Sequence, residues 1–288
     1  MSAPTVRRRR LGAKLRSFRD AHGWTLEDVA ARTNGVFTPS KLSRVEAART
    51  AARAADVEIL LDLYGIEDTD LRTALLTLTR EGARRGWWHS YRGVLSPLYE
   101  DLISLEAEAS SIRLFQLGVI PGLLQTAGYA REVNAATSMT EATTDRIDAA
   151  VEVRLARQSI MTRESPPEVW AIIHEAALRT RCARPETMRE QLQRLASLAE
   201  LPNVSVQVLR ADAAPHPGML GGFNHLSFSG HAGLDVVYEE SLTTVRYIED
   251  SEHVSVYGAA FERLRAAALP FDESLAFFQE RSKERESA

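Results

Sequence analysis

The stretch TPSKLSRVEA, residues 38–47, sets Ser40, Ser43, Arg44 and Ala47 at helical spacing, with Leu42 and Val45 among them. At about 100° per residue the two apolar side chains share one side of a helix and the other four lie around the opposite side. Lys41 sits on the flank. The outer surface is small, polar and basic, which suits either a helix that reads base edges or the solvated face of an ordinary bundle. Thr38 is a good N-cap. Pro39 then takes the first helical position, where its missing N–H costs nothing and its fixed φ suits a helix start. Lys41 in the first turn opposes the helix dipole by roughly a few tenths of a kcal/mol, a penalty that a nearby phosphate removes. Glu46 falls on the border of the buried side. A half-buried carboxylate needs a partner, because breaking such a pair costs about 3–5 kcal/mol, and Arg19 is the candidate.

Other chemistry-bearing groupings are incomplete. HEAAL, residues 174–178, begins like a zinc-binding H-E-x-x-H, but Leu178 stands where the second histidine is needed, so two imidazoles do not share a helical face. PHPGMLGGFNH, residues 215–225, gathers His216, Gly218, Gly221, Gly222 and His225 before a strand. A glycine-rich loop can cradle an anion, but this one carries no phosphate-loop or dinucleotide pattern and reads more readily as a plain hairpin loop. A Ser–Lys autoproteolytic dyad fails because Lys283 is the sole lysine beyond Lys41. Trp87 and Trp88, with His89 and Tyr91, suit either a ligand pocket or packing of one domain on another. The loop with His216 and Met219, and the strand with Tyr238 and Glu239, form the candidate rim of a small-molecule or partner site. With no complete catalytic constellation, the chain reads as a non-enzyme that requires no cofactor.

The elements that position these residues follow from charge and periodicity. The chain has 288 residues, 44% hydrophobic and 26% charged, with a net charge of -4; that length points to two domains. Through residue 53, twelve basic side chains face four acidic ones, a net +8, so the remaining 235 residues carry -12. A basic head on an acidic body suits a polyanion-binding module joined to something else. In the head, Leu11, Leu15 and Phe18 form one helical stripe. Thr25 caps a second helix with Asp28 as its capping-box acid, and Leu26, Val29 and Ala30 face inward. Asn34-Gly35 breaks that helix. After the 38–47 helix, a fourth turns Val57, Leu60, Leu61 and Tyr64 inward and stops at Gly65.

LGAKLRSFRDAHGWTLEDVAART, TPSKLSRVEAAR and DVEILLDLYGI together resemble the Cro/CI-type (Xre-family) helix-turn-helix domain. The recognition helix is similar to the PSK-aliphatic-SR-aliphatic-E version of actinobacterial regulators. The resemblance implies an all-α, lambda-repressor-like fold and an ion pair between Arg19 and Glu46. It also implies base-reading positions at Ser40, Ser43 and Arg44, with Thr25, Thr38, Lys41 and Arg49 against the phosphate backbone. Two features depart from the family. NGVF makes the turn about two residues longer than in phage repressors, and Pro39 stands where a base-reading glutamine is common. Proline has no side-chain donor, so specificity rests on fewer side chains, on shape readout or on thymine methyls.

In the body, IRLFQLG, EVWAIIH, VSVQVLR, GFNHLSFS, LDVVYEES and TVRYIED read as strands among helices. The expected fold is α+β with a small, largely antiparallel sheet, antiparallel at least in its last three strands. RRGWWHSY, LEAEASSIRLFQLGVIPGLLQTAGYA, RLARQ, HPGMLGGF and VVYEESLT resemble the uncharacterised C-terminal domain of the same regulators. That resemblance implies a small partner protein encoded nearby, in a toxin–antitoxin-like arrangement. The expected organisation is a DNA-binding domain at 8–66, a connecting helix and linker at 67–92, and a regulatory, dimerisation or partner-binding domain at 93–288.

No apolar run approaches the ~20 residues that span a bilayer. Arg7 to Arg10 look like the start of a signal peptide, but the charged LGAKLRSFRD follows. A lone Cys182 excludes an internal disulfide. The expectation is a soluble cytoplasmic protein, a homodimeric regulator of transcription on double-stranded DNA, with an unknown small-molecule ligand possible. The alternative is a DNA-binding member of a toxin–antitoxin-like pair whose acidic body grips a small protein.

Overall fold

The computed structural model describes residues 5–79, 88, 91, 95–138, 143–228 and 232–284. They fall into two compact units. The first is 1–86 with 228–235 and 249–251; the second is 87–227 with 236–248 and 252–288.

The first unit is helical: α1 (Val6–Ala21), α2 (Leu26–Arg32), α3 (Pro39–Glu46), α4 (Ala54–Leu63) and α5 (Thr69–Thr79). Leu11, Leu15, Val29, Phe37, Leu42, Val45, Val57, Leu60, Leu61 and Tyr64 are buried together. Each such aliphatic or aromatic side chain contributes roughly 1.5–3 kcal/mol on leaving water. Leu75 and Leu78 of α5 belong to the same core, so this helix, placed in the connecting segment on sequence grounds, packs as part of the head. The α2–α3 turn uses left-handed backbone at Asn34 and Gly35 (φ 50° and 82°), as Asn-Gly favours. Phe37 in that turn is fully buried. The longer NGVF turn thus supplies a core side chain.

The second unit runs α6 (Pro97–Glu108), β1 (Ser111–Gln116), α7 (Ala127–Thr137), α8 (Thr144–Arg157), β2 (Glu168–His174), α9 (Glu175–Arg179), α10 (Pro185–Leu198), β3 (Val204–Leu209), β4 (Phe223–Ser227), β5 (Val236–Glu240), β6 (Val245–Ile248), α11 (Ser251–Ala267) and α12 (Phe271–Glu284). The expectation of a small, largely antiparallel sheet is corrected. The sheet has six strands in the order β3-β2-β1-β4-β5-β6 and is mixed. β1 pairs with β2, and β2 with β3, in parallel; β4, β5 and β6 are antiparallel neighbours. The physical reason lies in the connections. A parallel pair needs a crossover of a dozen or more residues, and α7–α8 and α9–α10 supply the two crossovers. The short loops after β4 and β5 allow only antiparallel return, as expected of the last three strands. β2 reads as an apolar run, with Val169, Ala171, Ile172 and Ile173 all buried, which is the pattern of a strand covered on both faces.

Arg157 and Glu106 form a buried charge pair in this unit. Arg157 of α8 donates from Nε and Nη2 to Glu106 of α6 at 2.8 and 2.6 Å, and from Nη1 to the Tyr99 hydroxyl. The Arg157 and Glu106 side chains are 5% and 2% exposed, so the charge taken out of water is met by a carboxylate taken out with it.

Candidate nucleic-acid interface

α3 is short, and its ends explain where it stands. The Thr38 hydroxyl accepts the Lys41 N–H at 3.1 Å, and Pro39 opens the helix. Ala48 enters left-handed backbone (φ 56°), while the Arg49 and Thr50 amides close on the Arg44 carbonyl at 2.8 and 3.2 Å. Between these stops, Leu42 and Val45 are buried, and Ser40, Ser43, Arg44 and Ala47 are exposed; Arg49 is exposed just beyond.

The inner side of α3 is held by a charge pair. Arg19 of α1 donates from Nε and Nη2 to the two oxygens of Glu46, at 2.8 and 2.9 Å. Its Nη1 reaches the Trp24 carbonyl at 2.8 Å and lies 2.8 Å from Asp20. The two side chains are 11% and 6% exposed. The hydrogen bond to Glu46 raises the Arg19 pKa above its ordinary value, against the opposing effect of burial. A bidentate fork of this kind fixes orientation as well as distance, and so fixes which side of α3 faces outward.

Gly12 adds a second constraint that sequence reasoning missed. A Cβ there would lie 2.5 Å from the Glu46 carbonyl oxygen and 2.7 Å from that of Val45. Only a glycine lets α1 approach the backbone of α3 this closely. The available signal was an isolated glycine inside a helical stripe, where propensity alone disfavours it.

The expected backbone-contacting residues differ in how occupied they are. Lys41 Nζ lies 3.0 Å from Asp56, donates to the Val36 carbonyl at 3.4 Å and sits 4.4 Å from the Phe37 ring centroid. A phosphate at Lys41 must therefore compete with a carboxylate already in place. Thr25 forms a reciprocal capping box with Asp28: its N–H and hydroxyl both donate to the Asp28 carboxylate, and it accepts from the Asp28 N–H. Those hydrogen bonds from Thr25 hold the Asp28 carboxyl below its ordinary pKa. The Thr25 hydroxyl proton is thus already committed, whereas the Thr38 hydroxyl has only its acceptor side engaged by the cap.

The N-terminal arginines of this unit are also not uniformly open. Arg10 is 4% exposed, donates to the Leu234 carbonyl at 2.6 Å and lies 3.9 Å over the Phe228 ring. Burial lowers its pKa to about 10. Arg9 pairs with Glu249.

Comparison with known families also divides the chain in two, although 228–235 and 249–251 of the first unit fall within the second match. Residues 10–75 match a helix-turn-helix domain, and residues 99–280 match the Domain of unknown function (DUF5753). The chain belongs to the DUF5753 family. No curated protein and no solved structure matches it.

In the second unit, the structure does not bring the described members of the remaining candidate set together. Trp87 and His89 lie outside the described residues; Trp88 is half-buried. His216 has its ring 6.2 Å from that of His174 and 6.3 Å from that of Phe115. Met219 is 63% exposed. Tyr238 and Glu239 are successive strand residues and point to opposite faces. The buried Tyr238 hydroxyl donates to Glu240 at 2.9 Å, while Glu239 pairs with Arg246 at 3.3 Å and accepts from the Tyr257 hydroxyl. The half-motif His174-Glu175 is accounted for by packing. His174 Nδ1 accepts the Ala176 N–H at 3.1 Å, and the buried Glu175 accepts from Arg179 and the Ala211 N–H.

Proposed function

We propose that this DUF5753 protein is a sequence-specific DNA-binding regulator of transcription that acts as a homodimer, with α3 in the major groove. The observation that carries this reading is the division of α3. Its inner side is locked by Leu42, Val45 and the Arg19–Glu46 fork, while Ser40, Ser43, Arg44 and Ala47 stand exposed on a helix that matches a helix-turn-helix domain.

The exposed set has the chemistry for base edges. Arginine reaches guanine O6 and N7 with two donors, serine bonds to several bases, and an alanine methyl packs on the methyl of thymine. Pro39 adds no donor, so discrimination rests on these few contacts and on the shape of the duplex. A single head of this size offers few contacts, and two heads on half-sites about one helical turn apart supply the rest. Thr38 and Arg49, at the two ends of α3, are placed for phosphates, with Lys41 joining if it leaves Asp56 and Thr25 if its hydroxyl leaves Asp28. No helix among the described residues is long and apolar enough to cross a membrane; the cytoplasm is the compartment this reading requires, and no catalytic role is assigned.

The test is selection of genomic DNA fragments by the full-length protein beside the Ser40→Ala/Arg44→Ala double variant, at two salt concentrations. An enriched inverted repeat that the double variant loses is expected. Binding that is salt-sensitive but blind to sequence would overturn the reading of α3 as the specificity element.

A further inference from the structure

A cavity of about 390 Å3 opens on one face of the DUF5753 sheet, inside the range of roughly 300–1,000 Å3 used by small-molecule sites. Its floor follows from strand register. Leu114 pairs with Asn224, and Asn224 with Tyr238, so the three stand side by side. They occupy the face opposite Phe115, Phe223 and Val237, which are buried in the core on the other side. Two residues further along lie Gln116 on β1 and Glu240 on β5. Beside Gln116 comes Gly222, where a Cβ would meet Gln116 Oε1 at 2.7 Å and the Phe115 carbonyl oxygen at 2.9 Å. The missing side chain keeps the floor open.

The location has a topological reason. β4 runs antiparallel to β1 and β5, so the carboxyl ends of β1 and β5 lie at one edge of the sheet. The chain leaves β1 toward β2 on one side and fills the other side only later, with β4. The cavity lies beside those carboxyl ends, where Gln116 and Glu240 close β1 and β5.

The walls point to the chemistry of the occupant. Arg157 is neutralised by Glu106. Arg154, nearly one turn earlier on α8, spends Nη1 on Gln125 Oε1 at 2.6 Å. It has no carboxylate partner among the described residues, and its buried Nε–H has no acceptor. Asn134 of α7, also on the wall, has a buried Nδ2 with no acceptor. Native interiors seldom leave such donors unmet. A carboxylate in the cavity complements the Arg154 charge and brings oxygen acceptors to the wall that both side chains line. Leu102, Leu123 and Val133 line the cavity beside them, and Glu240 across the floor disfavours a second anionic group.

We propose that this cavity binds a small amphipathic monocarboxylate, its oxygens received by Arg154 and Asn134 and its apolar body laid against Leu102, Leu114 and Leu123. The site lies in the second unit alone and is independent of what α3 contacts.

Calorimetric titration of the full-length protein with hexanoate, octanoate, decanoate and phenylpropionate tests it, with octanol and octylamine as the uncharged and cationic counterparts. At least one carboxylate saturates at one per chain and raises the melting temperature by mass action, while octanol and octylamine bind at least about tenfold more weakly. Arg154→Met weakens that carboxylate by about tenfold or more, the loss of a charge-assisted hydrogen bond, and Arg154→Lys retains part of the affinity. Because Arg154→Met removes a bond to Gln125 as well, Val119→Trp serves as the second variant: it fills the cavity from a half-buried loop position and leaves Arg154 in place. Failure of all four carboxylates to saturate overturns the proposal. So does equal affinity for octanol or octylamine, or affinity unchanged in both folded variants.

Discussion

Replacing Glu46 with alanine removes both oxygens that Arg19 grips at 2.8 and 2.9 Å, and the size of the effect can be worked from what remains. Breaking a buried ion pair from one side costs about 3–5 kcal/mol, because the surviving charge is left without a counter-charge. Here Arg19 keeps the Trp24 carbonyl and Asp20, and its side chain is 11% exposed. The expected cost is therefore lower, about 2–4 kcal/mol, since hydrogen bonds to charged groups contribute ~1.5–3 kcal/mol each and not all are lost. At ~4 °C per kcal/mol for a unit of this size, the head should melt about 8–16 °C lower. Hydrogen exchange of the α3 amides, followed by mass spectrometry in the full-length protein, isolates the head from the second unit. Measured for Glu46→Ala, Arg19→Met and the double variant, it should return a coupling energy of about 1.5 kcal/mol or more between the two sites. A coupling below ~0.5 kcal/mol, the value of an exposed surface pair, would refute the claim that this fork orients α3.

Other perturbations probe separate links. Gly12→Ala gains up to ~1 kcal/mol of helix propensity but drives a methyl against two backbone carbonyls; a net loss of about 1–3 kcal/mol is expected, and a melt equal to or above wild type would show that α1 and α3 can separate freely. Arg44→Ala should cost roughly 1–3 kcal/mol on the selected site and relax preference at one base position, whereas equal loss on random DNA would reduce Arg44 to a phosphate contact. Glu106→Leu alone should destabilise the second unit by about 3–5 kcal/mol, with most of the loss recovered in Glu106→Leu/Arg157→Met; no recovery in urea titrations would mean that the pair does more than neutralise itself. Burial pushes the Glu175 carboxyl up, but the Ala211 N–H, the hydrogen bond from Arg179 and the charges of Arg179 and Arg210 hold it below its ordinary 4.5. A folded value below the unfolded one means a contribution that is whole above pH 4.5 and lost as pH falls through the folded value. Stability curves of wild type and Glu175→Gln should therefore converge on acidification below that pH, and parallel curves would refute the assignment.

Much of the head was legible in the residues because its determinants are local. The caps at Thr25 and Thr38, the proline at the first position of α3, and the apolar spacing of Leu42 and Val45 each act within a few residues, so the element and its exposed face follow from the chain alone. The burial of Glu46 also pointed to a long-range partner, because an unpaired carboxylate there is too costly. The residues of α5 looked like a connector only because its amphipathic stripe does not say what it packs against. Gly12 was silent for the same reason: its role exists only where another helix passes within contact distance.

In the second unit the six strands and most of the helices between them could be read from periodicity, α9 excepted, yet the sheet was expected small and largely antiparallel. Pairing direction depends on the crossovers α7–α8 and α9–α10, a property of connections and not of any strand. Tyr238 was singled out from the sequence as a site residue, but with His216, Met219 and Glu239, which the fold sends elsewhere. Arg154, Asn134 and Leu114 come from three different elements, and nothing in their local sequence distinguishes them from other helix and strand residues. What the amino-acid sequence determined alone was which segments form helices and strands and which side of each is apolar. Which faces meet, and so which unpaired donors end up around one cavity, was decided only when the sheet register and the switch between β1 and β4 were set.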